Sequence, residues 1–161
     1  QLIATLIHEP QLIILDEPFS GLDPVNAELL KEGILSLKKQ GSCVIFSSHN
    51  MEHVEKICDH LVMLNNGKSV LNGVVHEIRE SFGRTKVFLE SPITRDEIAL
   101  LDGVTDVRER EDQTLEITLS NPEVGKEIFR LATADGYIPM FNQQPPTLEE
   151  IFKQKVGEAN V

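Results

Sequence analysis

The sequence has few cysteines, a shortage of basic side chains and no long apolar run. Cys43 and Cys58 lie in apolar surroundings without CxxC spacing, so we expect two buried, reduced thiols rather than a disulfide. Fifteen basic against 26 acidic side chains give a net charge of -11, which argues against nonspecific binding to nucleic acid or an anionic membrane surface. No stretch approaches the roughly 20 apolar residues of a spanning helix, so direct membrane insertion is not expected.

The composition is otherwise that of a globular protein, with 40% hydrophobic and 25% charged residues. Apolar residues at positions 2–7 fall on one helical face before Pro10, so the chain is predicted to open inside a helix. It starts without an initiator Met or the basic region of a signal peptide. We therefore expect it to be the C-terminal part of a longer protein.

Residues 1–80 show alternating strand and helix patterns. The aliphatic run at residues 12–15 has no polar alternation and predicts a strand buried on both faces, as in a parallel sheet. Asp23-Pro24 predicts a helix start, residues 43–46 a second buried strand, and residues 60–64 a third. Asn66-Gly67 predicts a hairpin turn. This order predicts an α/β fold with a parallel sheet and an antiparallel tail.

The alternation of buried strands and helices ends between residues 80 and 86, where we place a domain boundary. The remaining segment predicts strands and helices in the order β-α-β-β-α-β, followed by a last helix capped by Thr147. The predicted domains are therefore residues 1–80, an α/β unit, and residues 84–155, a small ferredoxin-like α+β module.

Two adjacent carboxylates, Asp16 and Glu17, follow the first strand. The carboxyl end of a strand in an open parallel sheet is where ligands bind. His49 follows the second strand at the same edge. One carboxylate can hold a metal while the other faces a substrate or water, an arrangement typical of nucleotide hydrolases.

Three motifs in this order resemble those of ABC-type ATPases. Residues 12–17 resemble a Walker B strand, residues 20–24 a D-loop, and Ser47-Ser48-His49 the switch histidine. The resemblance implies a partial P-loop NTPase sheet over residues 1–80. Residues 146–152, Pro-Thr-Leu-Glu-Glu-Ile-Phe, resemble the tail of the C-terminal extension found on exporter ATPases.

The resemblance also implies a role for each site residue. Asp16 would hold Mg²⁺ on the ATP phosphates through water, and Glu17 would orient or deprotonate the attacking water. His49 would donate to the γ-phosphate. Ser20 begins the loop from which Asp23 would reach the nucleotide of a second subunit, although Asp23 is equally suited to cap the following helix.

The sequence also departs from the family pattern. It has no GxxxxGK[ST] phosphate loop, no signature motif and no glutamine loop. We therefore expect this chain alone to bind ATP weakly and not to hydrolyse it. The intact protein is predicted to be the cytoplasmic ATP-binding subunit of an ABC transporter, and export is the favoured direction of transport. It would pair with a second ATP-binding subunit and a permease, peripherally on the inner membrane face.

Three alternatives are open from the sequence. His49 to His53 match H-x-x-E-H, the pattern of inverted zinc peptidases, in which two histidines one helical turn apart bind zinc. A soluble ABC-type ATPase of DNA repair, chromosome organisation or translation is a second alternative. A noncatalytic regulatory or interaction module is the third.

Overall fold

The computed structural model describes residues 10–134 and 136–159. The helix predicted at residues 2–7 lies outside them. The strands are β1 (Leu12–Asp16), β2 (Cys43–Ser47), β3 (His60–Asn65), β4 (Lys68–Val74), β5 (Lys86–Glu90), β6 (Val104–Glu109), β7 (Leu115–Leu119) and β8 (Met140–Gln144). The helices are α1 (Pro24–Lys39), α2 (Met51–Ile57), α3 (Val75–Ser81), α4 (Arg95–Ala99), α5 (Val124–Ala132) and α6 (Leu148–Ala159).

The chain divides into two compact units, Gln1–Leu61 and Val62–Val161. In the first, β1 and β2 pair in parallel, from Leu12 opposite Cys43 to Asp16 opposite Ser47. One face of this pair packs on α1 and α2 through a buried cluster. The cluster comprises Phe19, Leu30, Ile34 and Ile57, with Leu15, Val44 and Phe46 packed against it. The predicted parallel pairing is thus present, while the division of the chain at residues 80–84 stays a prediction.

The opposite face of this strand pair is open, which corrects the prediction of strands buried on both faces. Ile13 is 3% exposed, whereas Leu12, Ile14 and Ile45 are 53%, 71% and 53% exposed. Side chains alternate along a strand, and among the described residues no element covers the second side. We call the exposed side, formed by Leu12, Ile14, Ile45 and Cys43, the open face.

The predicted third strand does not join β1 and β2. It pairs instead with β4 in a separate two-stranded sheet. Asn66 and Gly67 join the two strands with φ values of 49° and 75°, the left-handed turn expected for Asn-Gly. Because only two residues connect these strands, closing the loop between them costs little conformational entropy. The short helix α3 follows; the sequence patterns did not predict it, although Val75 and Ile78 show the helical spacing of buried residues.

The C-terminal module is ferredoxin-like, as predicted. Its elements follow the order β5-α4-β6-β7-α5-β8, and its antiparallel sheet has the strand order β6-β7-β5-β8. The core lies between the sheet and its helices. Residues with no exposed surface in this core are Val87, Leu89, Ile98, Ile117 and Ile128.

The last strand is displaced from its predicted position. The sequence pattern predicts this strand over residues 137–141, whereas the structure has it as β8, Met140–Gln144, three residues further on. Pro139 has no N–H for the ladder with β5, and Gly136 adopts a φ of 120°. The paired segment therefore begins after the proline.

The final helix is attached to the module by polar contacts at its first turn. Thr147 and Glu150 form the predicted capping box, with the Thr147 N–H donating to Glu150 Oε2 at 2.9 Å and the Glu150 N–H donating to Thr147 Oγ1 at 3.3 Å. Glu150 Oε1 also lies 2.5 Å from Lys86 Nζ on β5, whose side chain is 14% exposed. Arg79 of α3 donates to the carbonyls of Pro145 and Pro146 at 3.3 and 3.0 Å.

Replacing Glu150 by Ala is expected to destabilise the module by about 1–2 kcal/mol, because it removes the carboxylate half of the capping box and the nearest carboxylate partner of a largely buried lysine. Glu149→Ala is the matched control, since among the residues that the structure describes Glu149 is paired with the exposed Lys153 in the next turn. It should change stability by less than about 0.5 kcal/mol. Native-state hydrogen exchange at the β5 and β7 amides measures both effects. Equal exchange in the two variants would contradict this role of Glu150.

The same contact should depend on pH. Burial by itself would raise the pKa of Glu150, but hydrogen bonds from Lys86 and Thr147 outweigh it and hold that pKa below its ordinary 4.5. The contribution of Glu150 is thus complete above pH 4.5 and is lost as the pH falls through the lowered value.

The two cysteines are free, but they are not both buried as predicted. Cys43 is exposed on the open face, and Cys58 is partly buried. Burial raises the pKa of Cys58 to about 11. At pH 8 only about one Cys58 in a thousand is a thiolate. We expect iodoacetamide to label Cys43 at least about tenfold faster, as followed by mass spectrometry. In Cys43→Ala the fast phase should disappear, and its persistence would contradict the assignment.

Candidate active site at the carboxyl ends of β1 and β2

The chain leaves the sheet abruptly after Asp16. Glu17 has a φ of 43°, in the left-handed region that non-glycine residues seldom adopt. The Ser20 N–H then donates to the Glu17 carbonyl at 3.0 Å, closing a turn that leads towards α1. This local geometry brings the two neighbouring carboxylates to the edge where β2 also ends.

Ser47, the last residue of β2, contacts both members of the carboxylate pair. Its hydroxyl donates to Asp16 Oδ1 in a very short hydrogen bond and accepts the N–H of Glu17 at 3.0 Å. Asp16 and Ser47 are direct register partners, so their side chains lie on the same face of the strand pair. Sequence patterns alone assign Ser47 no role of its own, and it becomes a candidate through its register position opposite Asp16.

Glu17 and His49 are joined by their side chains. The His49 N–H donates to Glu17 Oε1 at 3.0 Å, and His49 Nδ1 lies 2.9 Å from the same oxygen. A carboxylate oxygen is an acceptor, so Nδ1 must carry the proton for this contact to be favourable. His49 Nε2 can then donate to a further acceptor only when the imidazole is positively charged. The imidazole is 81% exposed and accessible to a ligand.

Ser20 and Asp23 lie further along the same loop. Asp23 is the N-cap of α1, and its Oδ1 accepts from the N–H groups of Val25 at 3.0 Å and Asn26 at 3.1 Å. Hydrogen bonds from Asn26, first from its backbone and then from its side chain, hold the pKa of Asp23 below its ordinary value. Within the described part of the chain, neither the Ser20 nor the Asp23 side chain is hydrogen-bonded to Asp16, Glu17 or His49.

The donor set fits a hard divalent cation held through water. Asp16 supplies one exposed carboxylate beside a hydroxyl, and residues 10–134 and 136–159 contain no group of three His, Cys, Asp or Glu side chains that could hold a metal. Mg²⁺ typically takes one or two protein carboxylates and completes its shell with water and substrate phosphates. The site therefore suits Mg²⁺ delivered with a nucleotide, and not a metal held by protein ligands alone.

The zinc-peptidase alternative does not agree with this geometry. His49 precedes α2, whose N-cap is Asn50, so the two histidines do not share a helical face. The His49 ring is engaged by Glu17. The His53 ring instead packs on Phe19 with 4.1 Å between ring centroids.

Comparison with known proteins agrees with these motifs. A family profile described as "ATP-binding protein DrrA1-3-like, C-terminal domain" matches residues 73–156. The chain belongs to the ABC transporter ATP-binding proteins. An ABC transporter ATP-binding protein of Alkalihalophilus pseudofirmus is 43% identical over 159 residues, which are 99% of this chain and 59% of that protein.

Two further relatives of this ABC protein agree with that assignment. The ABC transporter ATP-binding protein YhaQ of Bacillus subtilis is 43% identical over 160 residues, 98% of this chain and 52% of that protein. The Nod factor export ATP-binding protein I of Rhizobium etli is 33% identical over 157 residues, 97% and 48% of the two chains. This ABC chain thus spans about half the length of the curated relatives it matches. Among its described helices, none has the length and apolarity needed to cross a bilayer.

The capping role of Asp23 can be tested in the ABC chain as it stands. Asp23→Ala removes the acceptor for two amides of the first helical turn and should lower the melting temperature by roughly 2–4 °C. Asp23→Asn, which caps as well as Asp, is the matched control and should melt as the wild type does. Circular dichroism at 222 nm measures both. Identical melting of the Ala and Asn variants would show that the cap contributes nothing.

Proposed function

We propose that this chain is the C-terminal part of the ATP-binding subunit of an ABC transporter, in which MgATP hydrolysis drives transport through a membrane permease. The observation that carries the proposal is the cluster at the ends of β1 and β2. There Asp16 and Glu17 stand side by side, and Glu17 is hydrogen-bonded to His49. Each residue type suits one requirement of phosphoryl transfer, which depends on positioning and charge neutralisation more than on covalent catalysis.

Glu17 is the group proposed to act on the attacking water. It lies next to Asp16 in the chain, its carboxylate is 38% exposed, and its Oε1 is held in one position by His49. In hydrolysis the water oxygen bonds to the γ-phosphorus, the bond to the bridging oxygen breaks, and Glu17 accepts or directs the water proton. His49 would donate to a γ-phosphate oxygen through Nε2 in the form in which both ring nitrogens carry a proton.

Asp16 is the residue that would hold Mg²⁺. The ion would neutralise charge on the β- and γ-phosphates. The chain itself contributes the Asp16 carboxylate, which Ser47 orients at the carboxyl end of β1. Ser20 and Asp23 would contact the nucleotide bound to a second ATP-binding subunit, and capping α1 fixes the direction in which their loop leaves the sheet.

The phosphate cradle is proposed to lie in the rest of the full-length subunit. This chain contains no glycine-rich phosphate loop. Its open face exposes Leu12, Ile14 and Ile45, an apolar surface of the kind that a folded protein buries. We propose that the remainder of the subunit covers this face. On its own the chain should bind ATP weakly and not hydrolyse it.

The proposed setting is the cytoplasmic side of a membrane, with the subunit bound peripherally to its permease. The similarity to a Nod factor export ATP-binding protein supports export as the direction. The C-terminal module has no proposed catalytic role.

The test is ATP hydrolysis by the full-length subunit. Glu17→Gln keeps the size and the hydrogen-bonding carbonyl of the side chain but removes its negative charge. It should lower turnover at least about a hundredfold and leave binding of a fluorescent ATP analogue unchanged. Phosphate release and fluorescence titration measure the two quantities.

Glu111→Gln is the matched control, because Glu111 is an exposed acid in the turn between β6 and β7 of the C-terminal module. It should hydrolyse ATP at the wild-type rate. Near-normal hydrolysis by Glu17→Gln would refute the role given to Glu17. Failure of the wild-type subunit to bind or hydrolyse ATP would instead favour a noncatalytic module.

A further inference from the structure

The Ser47 hydroxyl makes two hydrogen bonds that join the strand ends. It donates to a side-chain oxygen of Asp16 and accepts from the backbone N–H of Glu17. A hydroxyl has a single proton to donate, so the bond to Asp16 uses all of its donor capacity. Ser47 therefore orients the Asp16 carboxylate. Through its bond to the Glu17 N–H it also fixes the backbone from which the Glu17 side chain projects.

The bond to Glu17 coincides with an unusual backbone conformation. A non-glycine residue at a φ of 43° persists only where surrounding contacts hold it. The Ser47 hydroxyl holds the N–H of Glu17, and His49 holds its carboxylate. Ser47 at the end of β2 and His49 just after it thus hold the backbone and the side chain of Glu17 separately.

The bond to Asp16 leaves part of that carboxylate available. Ser47 takes Oδ1, and among the residues that the structure describes Oδ2 has no hydrogen-bond partner. A hydroxyl that is bonded to a metal ligand, and not to the metal itself, fixes the rotamer of that ligand, and its loss typically weakens metal affinity or activity about 10–100-fold.

We propose that Ser47 is a positioning residue for hydrolysis, which orients Asp16 for the magnesium ion and fixes the backbone from which Glu17 projects. The inference rests on the proposed function. It assigns Ser47 an effect on the metal dependence of the reaction, which a purely structural hydroxyl would not have.

Ser42 provides a matched control within the same strand pair. Its hydroxyl donates to the Pro10 carbonyl at 2.8 Å, bridging the same two segments just before the strands begin. It is five residues from Ser47, about 16 Å along the strand, and lies away from the carboxylates. Ser42→Ala thus removes a comparable bridge without touching the site.

The experiment compares full-length wild type, Ser47→Ala, Ser47→Thr and Ser42→Ala. The half-saturating Mg²⁺ concentration is measured in ATP hydrolysis and, independently, as Mn²⁺ binding to the ATP-bound subunit by electron paramagnetic resonance. Binding of a fluorescent ATP analogue in EDTA checks that each variant is folded. Ser47→Ala should raise both metal concentrations about tenfold. Ser47→Thr, which retains the hydroxyl, and Ser42→Ala should match the wild type.

The other outcomes separate the two proposals. Unchanged metal dependence in Ser47→Ala beside an active wild type overturns the role of Ser47 and leaves the proposed function standing. Equal changes in Ser47→Ala and Ser42→Ala, or loss of EDTA binding in Ser47→Ala alone, would make Ser47 a structural residue and overturn the inference. A wild-type subunit without Mg²⁺-dependent hydrolysis would overturn the proposed function and the inference with it.

Discussion

The parallel register of β1 and β2 is the constraint on which the site depends. Ile13 and Leu15 on one strand and Val44 and Phe46 on the other must all face the helices, and a slip of one residue would turn either set to the open side. The buried residues thereby select the pairing of Asp16 with Ser47, although neither of these polar residues is in the core. The apolar residues that precede Asp16 and Ser47 in the two strands thus determine which hydroxyl reaches which carboxylate.

This register also explains how a strained residue is maintained. A left-handed conformation at a non-glycine residue costs on the order of 1 kcal/mol, and at Glu17 it directs the N–H towards Ser47 and the carboxylate towards His49. Three hydrogen-bonding contacts offset that cost, and all three come from the end of β2. Glu17 therefore keeps its geometry only while the two strands stay paired.

Sequence patterns predicted the elements of this fold well wherever local chemistry decides the outcome. The cap at Asp23, the turn at Asn66-Gly67 and the capping box of Thr147 and Glu150 depend on a few neighbouring residues, and all three are present. Predictions that depended on distant parts of the chain were less successful. The burial of Cys43 depends on which part of the protein covers its face of the sheet. The pairing of the third strand depends on which other strand pairs with its edge. No local pattern contains that information.

The same reasoning applies to the site. The spacing of Asp16, Glu17 and His49 predicted that they meet at one sheet edge, and they do. Ser47 could not be selected in advance, because a serine ending a strand becomes informative only once the register places it opposite Asp16. Motif recognition finds residues that touch a ligand more readily than residues that act through a neighbour.

Each compact unit has a buried core, and the strand pair of the first unit also leaves one apolar face exposed. The C-terminal module encloses its core, with Val87, Leu89 and Ile117 fully buried. The first unit instead exposes Ile14 by 71%. Asp16 and Ser47 project from this same open face, since they alternate in phase with Ile14 and Ile45. Whatever covers the apolar part of the face in the full-length subunit must also border the two polar side chains at its end. Burying the apolar part of this face would thus place new protein surface beside the carboxylate that is proposed to hold Mg²⁺.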